Sequence, residues 1–205
     1  VAMVVALGLA VLAVLWTSLE FGGGDPVTSI VDLETPANGT GEPDPEDAAA
    51  PVGPATIVTV TAFDPDGDGS ENDADAILSG PDGDPSTTWA TACYADRFMG
   101  AKRGVGLVVS FETLAQQAVQ VDVATAPYQV SFFAVDAEAI PATLDEWGAE
   151  LGETRFADEP ATVTSPVPPE PARHVLVLLR ELGPDPGCSE ANPYRGRLGE
   201  LTVVE

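Results

Sequence analysis

The hydrophobic pattern divides the chain into three stretches. The first, residues 1 to 20, opens with nineteen residues that carry no charge, and a transmembrane helix needs roughly 20 apolar residues. We therefore predict a single transmembrane helix at 1–20. An uncleaved signal segment is the main alternative, although the basic start and small-residue cleavage site of a signal peptide are missing. Because the chain starts at Val1 inside this stretch, we expect it to be part of a longer protein.

The second stretch, residues 21 to 54, has little apolar content, many Pro and Gly residues, and an excess of acidic side chains. This composition predicts an extended, self-repelling linker. The short patch Val27–Leu33 is a candidate transient strand or docking element, with ordinary linker as the preferred interpretation.

The third stretch, residues 55 to 205, alternates apolar and polar positions in runs rich in β-branched residues, which is typical of strands. The predicted strands are Ala55–Phe63, Val105–Phe111, Ala118–Ala124, Tyr128–Val135, His174–Leu182 and Arg197–Val204. Only Ala74–Leu78 and Leu144–Leu151 favour a helical turn, and Gly148 weakens the second. Because strands and helices do not alternate, we predict an all-β domain, an antiparallel jelly-roll sandwich whose loops gather at its ends.

The charge of the chain limits its partners and its orientation. A net charge of −25 repels phosphate backbones, so we expect no nucleic-acid partner. The first basic residue after the apolar stretch is Arg97, and by the positive-inside rule this side of the membrane is not cytoplasmic. We therefore expect a cell-membrane protein with one span and an extracellular C-terminal domain.

Two acidic loops lie between the first strand and Trp89. In the first loop, Asp64, Asp66 and Asp68 stand at alternate positions and Asp75 at the twelfth place, close to the spacing of an EF-hand calcium loop. Two features depart from that pattern, since the closing residue is Asp instead of Glu and a strand precedes the loop. These four residues are a second possible metal loop, and a solvated Asp/Gly turn is the alternative.

The second acidic loop reads DGDPSTTW at 82–89. It resembles the motif near the start of discoidin domains, also called coagulation factor V/VIII type C domains, and of related galactose-binding-like carbohydrate-binding modules. Segments 104–123 and 196–205 resemble that family's central and closing strands. The resemblance implies an eight-stranded jelly roll with a structural calcium ion, and calcium prefers such oxygen ligands. The implied ligands are Asp82, Asp84, Thr87 and Glu200. Simple capping of a turn is the alternative without a metal.

Aromatic and arginine side chains in the loops are the candidate ligand contacts, because rings stack on sugars and guanidinium groups donate paired hydrogen bonds. Trp89 is expected in the core, as in the family it resembles. The chosen residues are Tyr94, Arg97, Trp147, Tyr194 and Arg195. The competing interpretation is that each is an ordinary half-buried aromatic residue or a surface arginine.

Cys93 and Cys188 are the only cysteines, and outside the cell they can form a disulfide; two free buried thiols are the alternative. Signals for catalysis are few. His174 is the only histidine, no serine lies in a G-x-S-x-G frame, and Glu146 and Glu150 are best explained as a charged turn. We expect a domain that is not an enzyme.

The order of span, acidic linker and discoidin-like domain resembles the extracellular C-terminal tail of actinobacterial MviN-type lipid II flippases. Some actinobacterial membrane serine/threonine kinases end in a similar way. The resemblance implies a module that contacts cell-wall glycan or a peptidoglycan precursor. A structural or protein-docking domain without a sugar site is the second hypothesis, and an enzyme is the third.

Overall fold

The computed structural model describes residues 55–67, 71–84 and 86–205. The predicted transmembrane helix at 1–20, the linker at 21–54 and Asp68 lie outside these residues. Within the described ranges, no helix is long and apolar enough to cross a bilayer.

Eleven strands and two short 3-10 helices make up the described part of the chain. The strands are β1 (Ile57–Phe63), β2 (Trp89–Ala90), β3 (Val105–Ala115), β4 (Ala118–Val123), β5 (Tyr128–Val135), β6 (Arg155–Ala157), β7 (Ala161–Thr164), β8 (Ala172–Glu181), β9 (Gly183–Ser189), β10 (Asn192–Arg195) and β11 (Arg197–Val204). The 3-10 helices are Asp73–Ser79 and Leu144–Trp147.

The strands form two layers. β1, β3, β8, β5 and β6 pair in that order in one sheet, and β2, β11, β4 and β7 pair in the other. All of these pairings are antiparallel. β9 and β10 form a separate hairpin between β8 and β11. The predicted antiparallel all-β sandwich is therefore confirmed for the described residues.

The main core lies between the two sheets. Alternate residues of β3 point into it and meet the inward face of β11. Fully buried members are Val105, Leu107, Val109, Leu198 and Leu201. Trp89 is also fully buried here, and its indole Nε1 donates a hydrogen bond to the carbonyl oxygen of Glu71 at 3.0 Å. The core position expected for Trp89 is the one observed.

The five-stranded sheet is covered on its outer face as well. The remaining alternate residues of β3 and β8, among them Val108 and Leu176, pack with Trp147. The ring of Trp147 meets the ring of Phe63 edge-on, with centroids 5.8 Å apart. β3 and β8 are apolar on both faces for this reason, which explains their nearly continuous hydrophobic sequences.

The sequence pattern misses the short strands. β9 reads GPDPGCS, and its prolines cannot donate backbone hydrogen bonds, so the segment has the composition of a loop. The helical segment predicted at Leu144–Leu151 is a single 3-10 turn that ends at Trp147. Gly148, with φ of 74°, ends this turn because glycine adopts positive φ without strain.

One end of the sandwich collects several loops. The pairing registers place the start of β3, the end of β8 and the start of β5 at this end. The β9–β10 hairpin follows β8 there, together with segments 91–104, 124–127 and 158–160. We call this the hairpin end.

Candidate functional site

The hairpin end is fastened at two points. Cys93 and Cys188 form a disulfide with their Cα atoms 5.8 Å apart, which joins the segment after β2 to β9. Tyr94 and Tyr194 exchange backbone hydrogen bonds of 2.7 and 3.1 Å, which join the same segment to β10. The segment and the hairpin thus form one connected surface.

Four of the five predicted ligand residues meet at this end. Tyr94, Arg97, Tyr194 and Arg195 all belong to the joined segment and hairpin. Trp147 does not join them. Its side chain is 2% exposed beneath the outer face of the five-stranded sheet, and a buried ring cannot stack on a sugar. The assignment of Trp147 as a ligand contact is corrected to a packing role.

The hydroxyl of Tyr94 belongs to a buried polar network. It donates to Oε2 of Glu71 at 2.8 Å and accepts from Nζ of Lys102 at 2.8 Å. Lys102 also donates to Oδ2 of Asp64 at 2.9 Å. Burial, reinforced by the Glu71 carboxylate, raises the pKa of Tyr94 above its ordinary value. Tyr94 therefore acts in the framework of the hairpin end, since its hydroxyl already has two partners.

Arg97 and the neighbouring Phe98 present a polar and an apolar group side by side. Arg97 forms an ion pair with Glu181, and its guanidinium carbon lies 5.2 Å from the centre of the Phe98 ring. Phe98 is 46% exposed. Sequence reasoning missed Phe98, because a single Phe beside a Met in a loop is as compatible with burial as with exposure.

A shallow depression of about 520 Å³ opens at the hairpin end. Its lining residues are Ala124, Thr125, Ala126, Asp158, Pro160, Pro184, Asp185, Pro186, Gly187 and Arg197. Nε of Arg197 donates to Oδ2 of Asp185 at 2.6 Å, and the backbone N–H of Gly187 donates to Oδ1 at 2.7 Å. Burial acts to raise the pKa of Asp185, but these hydrogen bonds outweigh it and lower the pKa. The depression therefore holds a guanidinium group, fixed in place by a buried carboxylate, among apolar walls.

The second acidic loop gathers most of the implied calcium ligands. Oγ1 of Thr87 donates to Oδ2 of Asp82 at 3.0 Å. The backbone N–H of Gly83 donates to Oε1 of Glu200 at 3.1 Å, which brings β11 to the loop. The loop and the last strand thus meet where the resemblance implies.

Asp84 takes part through its backbone. Its carbonyl oxygen accepts a hydrogen bond from Oγ1 of Thr87 at 2.8 Å, whereas its carboxylate turns to Ser86, whose hydrogen bonds lower the pKa of Asp84. The oxygen donors are of the type that calcium requires. No group of three Asp, Glu, His or Cys side chains within the described ranges is arranged to hold a metal. Calcium stays a prediction, carried by Asp82, Thr87 and Glu200.

The first acidic loop is built from ion pairs. Arg103 donates to the Asp66 carboxylate through Nε at 3.0 Å and Nη2 at 2.9 Å, and these hydrogen bonds lower the pKa of Asp66. Nζ of Lys102 forms an ion pair with Oδ2 of Asp64 at 2.9 Å. Asp75 lies exposed in the first 3-10 helix. The metal-loop interpretation is corrected for Asp64 and Asp66, whose carboxylates already have cationic side chains as partners.

The residues considered for catalysis have structural partners. Nδ1 of His174 and Oγ of Ser110 lie 2.8 Å apart in a buried pair. Glu146 accepts a hydrogen bond from the backbone N–H of Thr143 at 3.0 Å and so caps the second 3-10 helix. Glu150 accepts a hydrogen bond from a neighbouring threonine at 2.7 Å. None of these contacts assembles a nucleophile with a base and an acid.

Comparison with known proteins finds that this chain is similar to several carbohydrate-binding modules. No family model matches the sequence. The chain is similar to the family 32 carbohydrate-binding module of AlyQ in complex with 4,5-unsaturated mannuronic acid, at 17% identity and a TM-score of 0.43, over 74% of this chain and 98% of that one. It is similar to the family 32 module of C. perfringens NanJ in complex with galactose, at 17% identity and a TM-score of 0.42, over 72% and 93% of the two chains. A pectin-binding module gives 16% identity and a TM-score of 0.41, over 74% and 92%.

Proposed function

We propose that residues 55–205 form a non-catalytic carbohydrate-binding module whose ligand lies in the depression at the hairpin end. The observation that carries this proposal is the pair of Arg197 and Asp185 at the depression, with Nε and Oδ2 2.6 Å apart. Asp185 is buried and holds the guanidinium group of Arg197, whose side chain is 33% exposed, and charged donors form strong hydrogen bonds with sugar hydroxyl groups. The proline rings beside them offer apolar surface to the C–H faces of a sugar, as in mostly apolar sites with few polar groups.

The wider setting in our proposal is an extracellular domain of a membrane protein of cell-wall synthesis. Residues 1–20 are its span, and its partner is wall glycan or a peptidoglycan precursor. The sequence resemblance to the MviN-type flippase tail supports this setting, and so does the disulfide, because thiols oxidise outside the cell. The alternative owner is a membrane serine/threonine kinase, of which this would be the sensor domain. The coding sequence upstream of Val1 distinguishes a transporter from a kinase.

We also propose a structural calcium ion at the second acidic loop. Asp82, Thr87 and Glu200 would hold it, together with the carbonyl oxygen of Asp84. The ion would connect the loop to β11 and so hold in place the segment that leads into Trp89. Its role in this proposal is to support the fold, at a loop distinct from the depression.

A second candidate function is protein docking without a sugar site. The observation that favours it is Phe156, which is 68% exposed on β6 at the edge of its sheet. An edge strand with an exposed aromatic side chain is suited to a protein partner. In that case substitution of Phe156 would weaken the interaction and substitution of Arg197 would not.

The test is titration of the 205-residue chain in detergent with galactose and with soluble peptidoglycan fragments, followed by calorimetry. We expect binding that Arg197→Gln weakens at least tenfold. Arg173→Gln is the matched control, because Arg173 pairs with Asp136 at the opposite end of β8. No binding to galactose, to an acidic sugar such as galacturonic acid or to any peptidoglycan fragment, or binding that Arg197→Gln leaves unchanged, would overturn the proposal.

A further inference from the structure

The distribution of ion pairs singles out one arginine. The chain has 33 acidic and 8 basic residues, and six of the eight basic side chains form ion pairs with carboxylates in the structure. Among the described residues, Arg155 and Arg195 have no such partner. In a chain with four times as many acids as bases, an arginine without a carboxylate calls for an explanation.

Arg195 also has a buried polar atom without a partner. Its Nε is buried and forms no hydrogen bond within the described part of the chain. A buried donor left unsatisfied costs free energy of folding. An arginine in a hairpin that carries this cost is explained most directly by an anionic ligand.

Arg195 and Arg197 face the same small volume beside Gly187. From the position that a Cβ atom on Gly187 would occupy, Nη1 of Arg195 lies 3.8 Å away, Nη2 of Arg197 lies 3.6 Å away and Oδ1 of Asp185 lies 3.0 Å away. Gly187 lines the depression. Both guanidinium groups therefore approach the same side of Gly187, next to the Asp185 carboxylate.

Immediately beside Gly187, two guanidinium groups face one carboxylate. Asp185 balances one guanidinium group, through its hydrogen bond to Arg197. The other positive charge, on Arg195, remains. A carboxylate matches the planar fork of a guanidinium group and accepts two parallel hydrogen bonds from it.

We propose that Arg195 and Arg197 select a sugar that carries a carboxylate, placed beside Gly187. This inference rests on the proposed carbohydrate-binding function and adds the class of ligand to it. Asp158 also lines the depression, and its negative charge opposes an anionic ligand, so the preference depends on the two guanidinium groups. Attraction by the whole chain cannot produce such a preference, since its net charge of −25 repels anions.

The experiment compares galacturonic acid with galactose on the 205-residue chain in detergent, by calorimetry at low and at high salt. We expect galacturonic acid to bind at least tenfold more tightly at low salt, with the difference shrinking as salt screens the charges. Arg195→Gln should remove this difference by lowering galacturonic acid affinity much more than galactose affinity. Arg155→Gln, the other arginine without a carboxylate partner, is the matched control and should change neither affinity.

The outcomes separate the two proposals. If both sugars bind equally, or if Arg195→Gln weakens both sugars equally, the binding function stands and the carboxylate preference is overturned. If neither sugar nor any peptidoglycan fragment binds, the function fails and the preference fails with it. A melting temperature for Arg195→Gln equal to that of the parent chain shows that lost selectivity is not lost folding. As a second variant, Gly187→Ala should narrow the space between the guanidinium groups and reduce galacturonic acid binding more than galactose binding.

Discussion

Nζ of Lys102 lies 2.9 Å from Oδ2 of Asp64, whose side chain is 0% exposed. The same ammonium lies 3.5 Å from Oε2 of Glu71, whose side chain is 3% exposed. Burial acts to lower the pKa of Lys102, but its hydrogen bonds to Asp64 and Tyr94 outweigh burial and raise the pKa. One ammonium thus neutralises part of a buried acidic pair beneath the hairpin end.

Lys102→Met should therefore destabilise the domain strongly, because it leaves two buried carboxylates without their cation. We expect a loss of about 3–5 kcal/mol in the free energy of unfolding, measured by urea denaturation. Arg173→Met is the control, since it removes an exposed ion pair of 3.8 Å and should cost less than about 1 kcal/mol. Equal losses in the two variants would contradict the importance of the buried network.

Removal of the disulfide should also destabilise the domain. Cys93 and Cys188 are 95 residues apart in sequence, and a cross-link over so long a loop restricts the unfolded chain, for a typical effect of about 2–5 kcal/mol. The double variant Cys93→Ala, Cys188→Ala should lower the melting temperature, and a reductant should lower that of the parent chain to the same value. A reductant that further lowers the melting temperature of the double variant would show an effect unrelated to this bond.

Stability should depend on pH through His174. Burial lowers the pKa of His174 in the folded state, whereas the unfolded chain has the ordinary pKa of about 6.5. The unfolded state therefore binds the proton more readily, so the contribution of this group is complete above pH 6.5 and stability falls as the pH drops below it toward the lowered pKa.

Urea denaturation between pH 7.5 and 5.5 measures this dependence. The loss amounts to about 1.4 kcal/mol for each unit by which folding lowers the pKa. His174→Gln should flatten the profile over this range, because it removes the only histidine of the chain. A profile of the same slope in the variant would assign the dependence to other groups.

Calcium should stabilise the second acidic loop. Addition of Ca²⁺ at 100 times its dissociation constant should raise the free energy of unfolding by about 2.7 kcal/mol, and a chelator should reverse the gain. Glu200→Gln should remove the effect, whereas Glu205→Gln, at the exposed end of the chain, should not. A sodium salt of equal ionic strength controls for screening, and an equal gain with sodium would refute a specific site.

The sequence predicts the long strands well and the short ones poorly, for a physical reason. β5 and β11 have the predicted bounds because the apolar residues of β5 pack on both faces of its sheet and those of β11 pack in the main core. β9 is not visible in the sequence, because it pairs only with β10 and contains Pro184 and Pro186. The position of β9 is set by its pairing with β10 and by the disulfide between Cys93 and Cys188.

The sequence predicts a site residue correctly where its role depends on neighbouring residues. It fails where the role depends on partners that are distant in the sequence. The alternating aspartates of the first loop have the local spacing of a cation site, but Arg103 comes from 37 positions further along to pair with Asp66. The sequence around Trp147 likewise does not show whether its ring is exposed or buried. The loop around it looks solvated in sequence, and only the packing of Phe63 and the outer sheet face shows that the ring is covered.

The two fastenings of the β9–β10 hairpin have an evolutionary consequence. Because a covalent bond and a backbone bridge hold the hairpin in place, its position depends little on the identity of a residue such as Arg195, which forms no ion pair among the described residues. Substitutions there can change which ligand is preferred while the surrounding scaffold is inherited intact. For the same reason, a library of hairpin variants is a practical starting point for redirecting the domain to new glycans.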